Sequence, residues 1–169
     1  MILNKRTRKV YTNEILWLEV VDGDTLNAIV DLGYNVLHKT CIRIHGIDAP
    51  ELKKTGLLER IAANRVKDLI QSILDTAMAK GGIYAKSFEM IEHDGRGRII
   101  GDIFIPIPNA NIAIEYEHGD LLSALLLDFK VVRAYDGKTA RTSWSDIELE
   151  SVVKNCDKAV ILLEQKRAK

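Results

Sequence analysis

The sequence has no excess charge of either sign: 24 Lys and Arg stand against 24 Asp and Glu, for a formal net charge of zero. A neutral chain is a poor nonspecific coat for nucleic acid, so any such contact must come from a local basic site. Cysteine is scarce. Cys41 and Cys156 lie far apart and form no Cys-x-x-Cys pair, which argues against a disulfide framework or a zinc-thiolate site. Three prolines leave little room for a Pro-rich linker. No apolar run reaches the length of a membrane span, and the opening MILNKRTRKV lacks the apolar core of a secretory leader. These absences point to an intracellular, cytoplasmic protein without a membrane partner.

What is present suits a folded domain. The chain has 169 residues, 47% hydrophobic and 28% charged, enough to bury a core without staples. Residues 1–12, with Lys5, Arg6, Arg8 and Lys9, read as a basic N-terminal tail on a single domain spanning 1–169. Residues 13–47 read as strands, and in the first of them Ile15 to Val21 is apolar except for Glu19, nearly continuous enough for a strand buried on both faces. Asp22-Gly23 signals a tight turn and Leu26–Asp31 a second strand. Residues 36–47 read as a third strand, with Ile42 and Ile44 on one face and Arg43 on the other.

A helix follows, its stripe made by Leu57, Leu58, Ile61, Ala62, Val66, Leu69, Ile70, Ile73 and Leu74. Thr55 is the expected N-cap and Gly81-Gly82 the stop. Residues 83–92 and 98–105 read as a hairpin, 120–128 as a short helix, and 145–169 as a last helix opened by a Ser145/Glu148 capping box. Five short strands with an intervening helix predict an α+β fold, a five-stranded OB-type barrel with three helices.

Three clusters carry chemistry. In VVDGDT (20–25), Asp22 and Asp24 stand two residues apart at a strand end. They read as a hairpin turn or as oxygen ligands for a hard cation such as calcium. In RIHGIDAPE (43–51), Pro50 holds Ala49 extended, so Asp48 and Glu51 emerge on an irregular loop downstream of Arg43. The segment combines carboxylates for a cation, a base, and a guanidinium to clamp an oxyanion. In DGRGRIIGDI (94–103), a glycine-rich turn carries Arg96 and Arg98. By itself that is a hairpin turn with solvated charges; it is also a way to present guanidinium groups to a phosphate.

In this order and at this spacing, the three strings resemble the staphylococcal nuclease (thermonuclease) family, and the likeness covers about residues 13–136. It implies a calcium ion held by Asp24, Asp48 and the main-chain carbonyl of Ala49, with Asp22 just beyond the ligands. It implies Arg43 and Arg98 as the phosphate-binding arginines and Glu51 as general base. Arg96 falls where the family often has tyrosine, and Tyr135 matches a tyrosine packed near the bound nucleotide. Phe129 departs from a glycine that usually ends the second helix.

The implied activity is calcium-dependent hydrolysis of DNA or RNA, single strands preferred, leaving 3′-phosphates. Glu51 would take a proton from the attacking water, while Arg43 and Arg98 donate to the phosphoryl oxygens. The alternative is a catalytically weak barrel of the same kind that binds nucleic acid or a protein partner. A monomer is the default expectation.

Overall fold

The computed structural model describes residues 12–53, 55–80, 82–87, 98–105 and 121–167. Its elements run β1 (Thr12–Asp22), β2 (Thr25–Asp31), β3 (Leu37–Ile44), β4 (Ile47–Asp48), α1 (Leu57–Lys80), β5 (Tyr84–Ser87), β6 (Ile99–Phe104), α2 (Leu122–Asp128), β7 (Arg133–Ala134) and α3 (Asp146–Arg167). Five strands close a barrel in the order β1-β2-β3-β6-β5. All neighbours are antiparallel except β3 and β6. With α1 between the third and fourth barrel strands, this is the α+β, OB-type architecture expected from the sequence. The closing contacts are short: among the described residues β5 pairs with only Thr12–Glu14 of β1, and β6 with only Ile42–Ile44 of β3.

The barrel interior is filled by Ile15, Val20, Leu26, Ala28, Ile42, Ile44 and Ile103, all buried. Leu122 and Leu126 of α2 join the same core, as does the buried face of α1: Ala62, Val66, Leu69, Ile70 and Leu74. Truncating one such leucine to alanine typically costs about 2–5 kcal/mol. Helix α3 lies along α1 and contributes Leu149, Val152, Cys156 and Ala159. Ser145 opens it as read: Ser145 N donates to Glu148 Oε2 (2.8 Å), and Glu148 N to Ser145 Oγ (3.4 Å). Burial pushes the Cys156 thiol up to about 12, so this cysteine is a packing residue.

Several sequence expectations need correction. Strand β1 is not buried on both faces: Leu16 and Trp17 are exposed. Its register with β2 shifts between Ile15 and Trp17, a bulge that turns two successive side chains outward. The third strand stops at Ile44, because Gly46 takes a positive φ of 80° and the chain starts afresh as β4, paired with β7. Thr55 does not cap α1. Its hydroxyl turns back to the Glu51 carbonyl, and Gly56 accepts the first helical bond, from Arg60 N. Leu57 and Ile61 are exposed, so of the first turn's apolar residues only Leu58 packs, partly buried, against the core, and full burial begins at Ala62.

The exit from α2 also differs from a glycine stop. Phe129 remains right-handed, and Lys130 takes the left-handed position at φ 55°. That conformation disfavours a residue with a Cβ. Asn155 holds the Lys130 carbonyl from α3 (3.2 Å). The expected basic tail lies outside the described residues apart from Thr12, which opens β1, as do the 94–97 turn and residues 88–92 of the predicted hairpin.

Candidate active site

One end of the barrel gathers the β1–β2 turn, the end of β3, β4 and its following loop, the start of β6, and the segment after β7. The turn is set by close packing. A Cβ on Gly23 would fall 2.5 Å from Ala49 Cβ and 3.0 Å from Val66 Cγ1. Only a glycine lets the β1–β2 turn lie against the loop after β4, and this approach brings Asp24 beside Asp48.

Asp24 and Arg43 form a buried ion pair between Asp24 Oδ2 and Arg43 Nη1. The register makes Arg43 the cross-strand partner of Thr25. Arg43 also donates to the carbonyls of Asp24 (3.3 Å) and Ile47 (3.1 Å). The Asp24 carboxylate accepts from the Thr25 hydroxyl (2.9 Å), and Thr25 Oγ1 in turn accepts from Arg98 Nη1 (3.1 Å). Arg98 therefore reaches the same spot from the start of β6. Burial, then the positive charges of Arg141 and Arg98, pushes Arg43 down to about 10, leaving it protonated at neutral pH. Asp22 accepts from the Asp24 amide (3.2 Å) and supports the charge of Arg43.

Asp48 is buried and meets Arg133 Nη2 (3.3 Å) and Arg141 Nε (3.2 Å). Glu51 is half-exposed and accepts from Arg141 Nη1 (2.6 Å). Arg141 Nη2 lies 3.8 Å from Asp24 Oδ2. One guanidinium thus joins three carboxylates from two segments, the β1–β2 turn and β4 with its following loop. The Glu51 loop is tied to α1, since Glu51 N donates to Glu59 Oε1 (3.2 Å).

The structure therefore brings together Asp22, Asp24, Arg43, Asp48, Ala49, Glu51 and Arg98. Tyr135 stands at the edge: its amide donates to the Gly46 carbonyl, its hydroxyl to the Thr139 carbonyl, and Arg141 lies 5.5 Å from its ring centroid. Arg96 lies outside the described residues.

Arg133 and Arg141 escaped the sequence reading. Arg133 stacks on Trp144 at 3.7 Å and donates to the carbonyl and hydroxyl of Thr142, which fixes the segment that carries Arg141. The only signal was two isolated arginines around a stretch with no hydrophobic period.

Calcium takes six to eight oxygen ligands. Asp24, Asp48 and the Ala49 carbonyl are oxygen donors of that kind, and Arg141 marks their neighbourhood as a place for positive charge. As arranged, the carboxylates are spread around a planar guanidinium. Among the described residues, no group of three or more His, Cys, Asp or Glu side chains stands ready to hold a metal ion. The donor set fits a hard cation in kind.

Together these features define an OB-type barrel with a dense ionic site at one end, arginines and carboxylates interleaved. No protein-family model matches the chain, and comparison with curated proteins gave no significant match. Among the described residues, no helix is long and apolar enough to cross a membrane.

Proposed function

We propose that the protein is a calcium-dependent phosphodiesterase acting on DNA or RNA, a nuclease of the thermonuclease kind. One observation carries the reading: Arg43 and Arg98 converge beside Asp24 and Thr25, next to the carboxylates of Asp48 and Glu51. Positive groups for a phosphate, oxygen donors for a cation and a carboxylate base thus meet within one site.

In this reading Arg43 and Arg98 bind the phosphate and donate to its oxygens as negative charge builds there. Their planar forks suit phosphate better than a lysine would. Glu51, the least buried of the three carboxylates that meet Arg141, accepts a proton from the attacking water. Asp24, Asp48 and the Ala49 carbonyl would hold the cation, which when bound supplies charge neutralisation at the phosphate. Tyr135 offers a ring at the edge for a base of a flexible strand. Cleavage at the 5′-oxygen, leaving 3′-phosphates, and membership of the thermonuclease-like family belong to the same proposal.

A specific observation favours the alternative, a barrel that binds without cleaving: Arg141 already neutralises the carboxylates, Glu51 included. A fluorescent single-stranded oligonucleotide incubated with calcium, with magnesium and with chelator separates the two. The nuclease reading expects fragments with calcium and none with chelator. Retention of the intact strand under every condition supports the binding reading.

A further inference from the structure

The loop from Asp136 to Ser145 has no helix or strand of its own, yet it delivers Arg141 into the centre of the ionic site. Arg141 meets Glu51 at 2.6 Å, Asp48 at 3.2 Å and Asp24 at 3.8 Å. An arginine has five N–H donors in a flat fork, which lets one side chain bridge groups that a lysine would have to choose between. The three partners are the two carboxylates assigned to the cation and the one assigned to the base.

We propose that Arg141 is a resident counter-cation that competes with the divalent ion for Asp24, Asp48 and Glu51, so that the ion enters only as Arg141 leaves. This rests on the metal-dependent reading above. A guanidinium and a divalent ion cannot share these carboxylates without mutual repulsion. By linkage, whatever Arg141 contributes to the ion-free site is subtracted from the affinity of the ion.

Arg141 has a way out. Its side chain is about one-third exposed, and the Tyr135 ring at 5.5 Å offers a face for the displaced guanidinium. The anchor of the loop is Arg133 on Thr142, which leaves the Arg141 side chain to move while the backbone stays. Displacement would also release Glu51, so the base and the cation site would open together.

The test is calcium titration calorimetry on the whole chain, on Arg141→Gln and on Arg141→Lys. Arg141→Gln should bind calcium about tenfold to a hundredfold more tightly, within the usual size of coupling between sites. Arg141→Lys, which keeps the charge, should gain less. Equal calcium affinity in the unmodified chain and Arg141→Gln overturns the competition and leaves the metal-dependent reading standing. No calcium binding by any of the three overturns both.

Because Arg141→Gln leaves three carboxylates without their shared partner and can weaken the fold, the unmodified chain supplies a second readout. The Arg141 Nε–H resonance in NMR, held against Asp48, should shift and exchange faster with water as calcium is added. An unchanged resonance at calcium saturation contradicts the proposal.

Discussion

Gly23 and Ala49 touch so closely that a methyl group on Gly23 would stand 2.5 Å from the Ala49 Cβ. The contact joins the β1–β2 turn to the loop after β4 and sets the spacing between Asp24 and Asp48. Gly23→Ala should force the turn off the loop and destabilise the fold by about 1–3 kcal/mol, the usual cost of overpacking. Chemical denaturation measures the loss, and calcium affinity should fall with it. A Gly23→Ala protein of unchanged stability and unchanged calcium binding would show that the turn yields without moving the carboxylates.

Arg43 and Arg98 share a site but not a burden. Arg43 is buried against Asp24, and removing it leaves that carboxylate only the more distant Arg141 (3.8 Å), a loss of up to about 3–5 kcal/mol. Arg98 is the cleaner probe of chemistry, because it reaches the site through Thr25 from the partly buried start of β6. Arg98→Ala should retain the fold and lose about 10²–10³-fold in turnover. Arg98→Lys should not restore it. Steady-state cleavage of one oligonucleotide checks both, and full activity in Arg98→Ala would remove Arg98 from the proposed phosphate site.

Asp102 makes stability depend on pH in an unusual sense. It is buried in β6, accepts from the amides of Ile103 (2.7 Å) and Ser123 (3.2 Å), and is bonded by the Ser123 hydroxyl. Burial outweighs these bonds and raises its pKa from 3.8 to about 6. The folded state therefore holds this proton more tightly than the unfolded state. The contribution of Asp102 is most favourable below the unfolded value and is lost as pH rises through about 6. The gap corresponds to on the order of 3 kcal/mol. Relative to Asp102→Asn, the unmodified protein should gain stability by that order between about pH 7 and pH 4. Denaturant titrations of both proteins at the two pH values measure it, and a pH-independent difference would refute it.

Much of this was legible in the sequence because it rests on local pattern. The stripe from Ala62 to Leu74, the Ser145/Glu148 cap and the alternation of Ile42, Arg43 and Ile44 each follow from the period of one element. The motif clusters placed Asp24, Asp48, Glu51, Arg43 and Arg98 in the segments that meet. The bulge at Leu16–Trp17 was not legible, since an apolar run looks the same whether both faces are covered or one is bulged into solvent. In the sequence Asp22-Gly23 is only a tight-turn signal. What the fold requires is the space its missing Cβ leaves for Ala49. Arg141 was invisible for a further reason. It reaches Glu51 across 90 residues of sequence, from a loop with no period, and the pairing of β4 with β7 brings their two segments together.

Glu51→Gln on a single-stranded oligonucleotide with calcium present, with rate and affinity measured together, tests the central claim most directly. Glutamine preserves the shape and one acceptor but cannot take the proton from water. The rate should fall by about 10²–10⁴-fold, while binding, held by Arg43 and Arg98, should change far less. Equal losses in rate and affinity would make Glu51 a binding or structural residue. No loss in either would take it out of the reaction and put the non-cleaving barrel ahead.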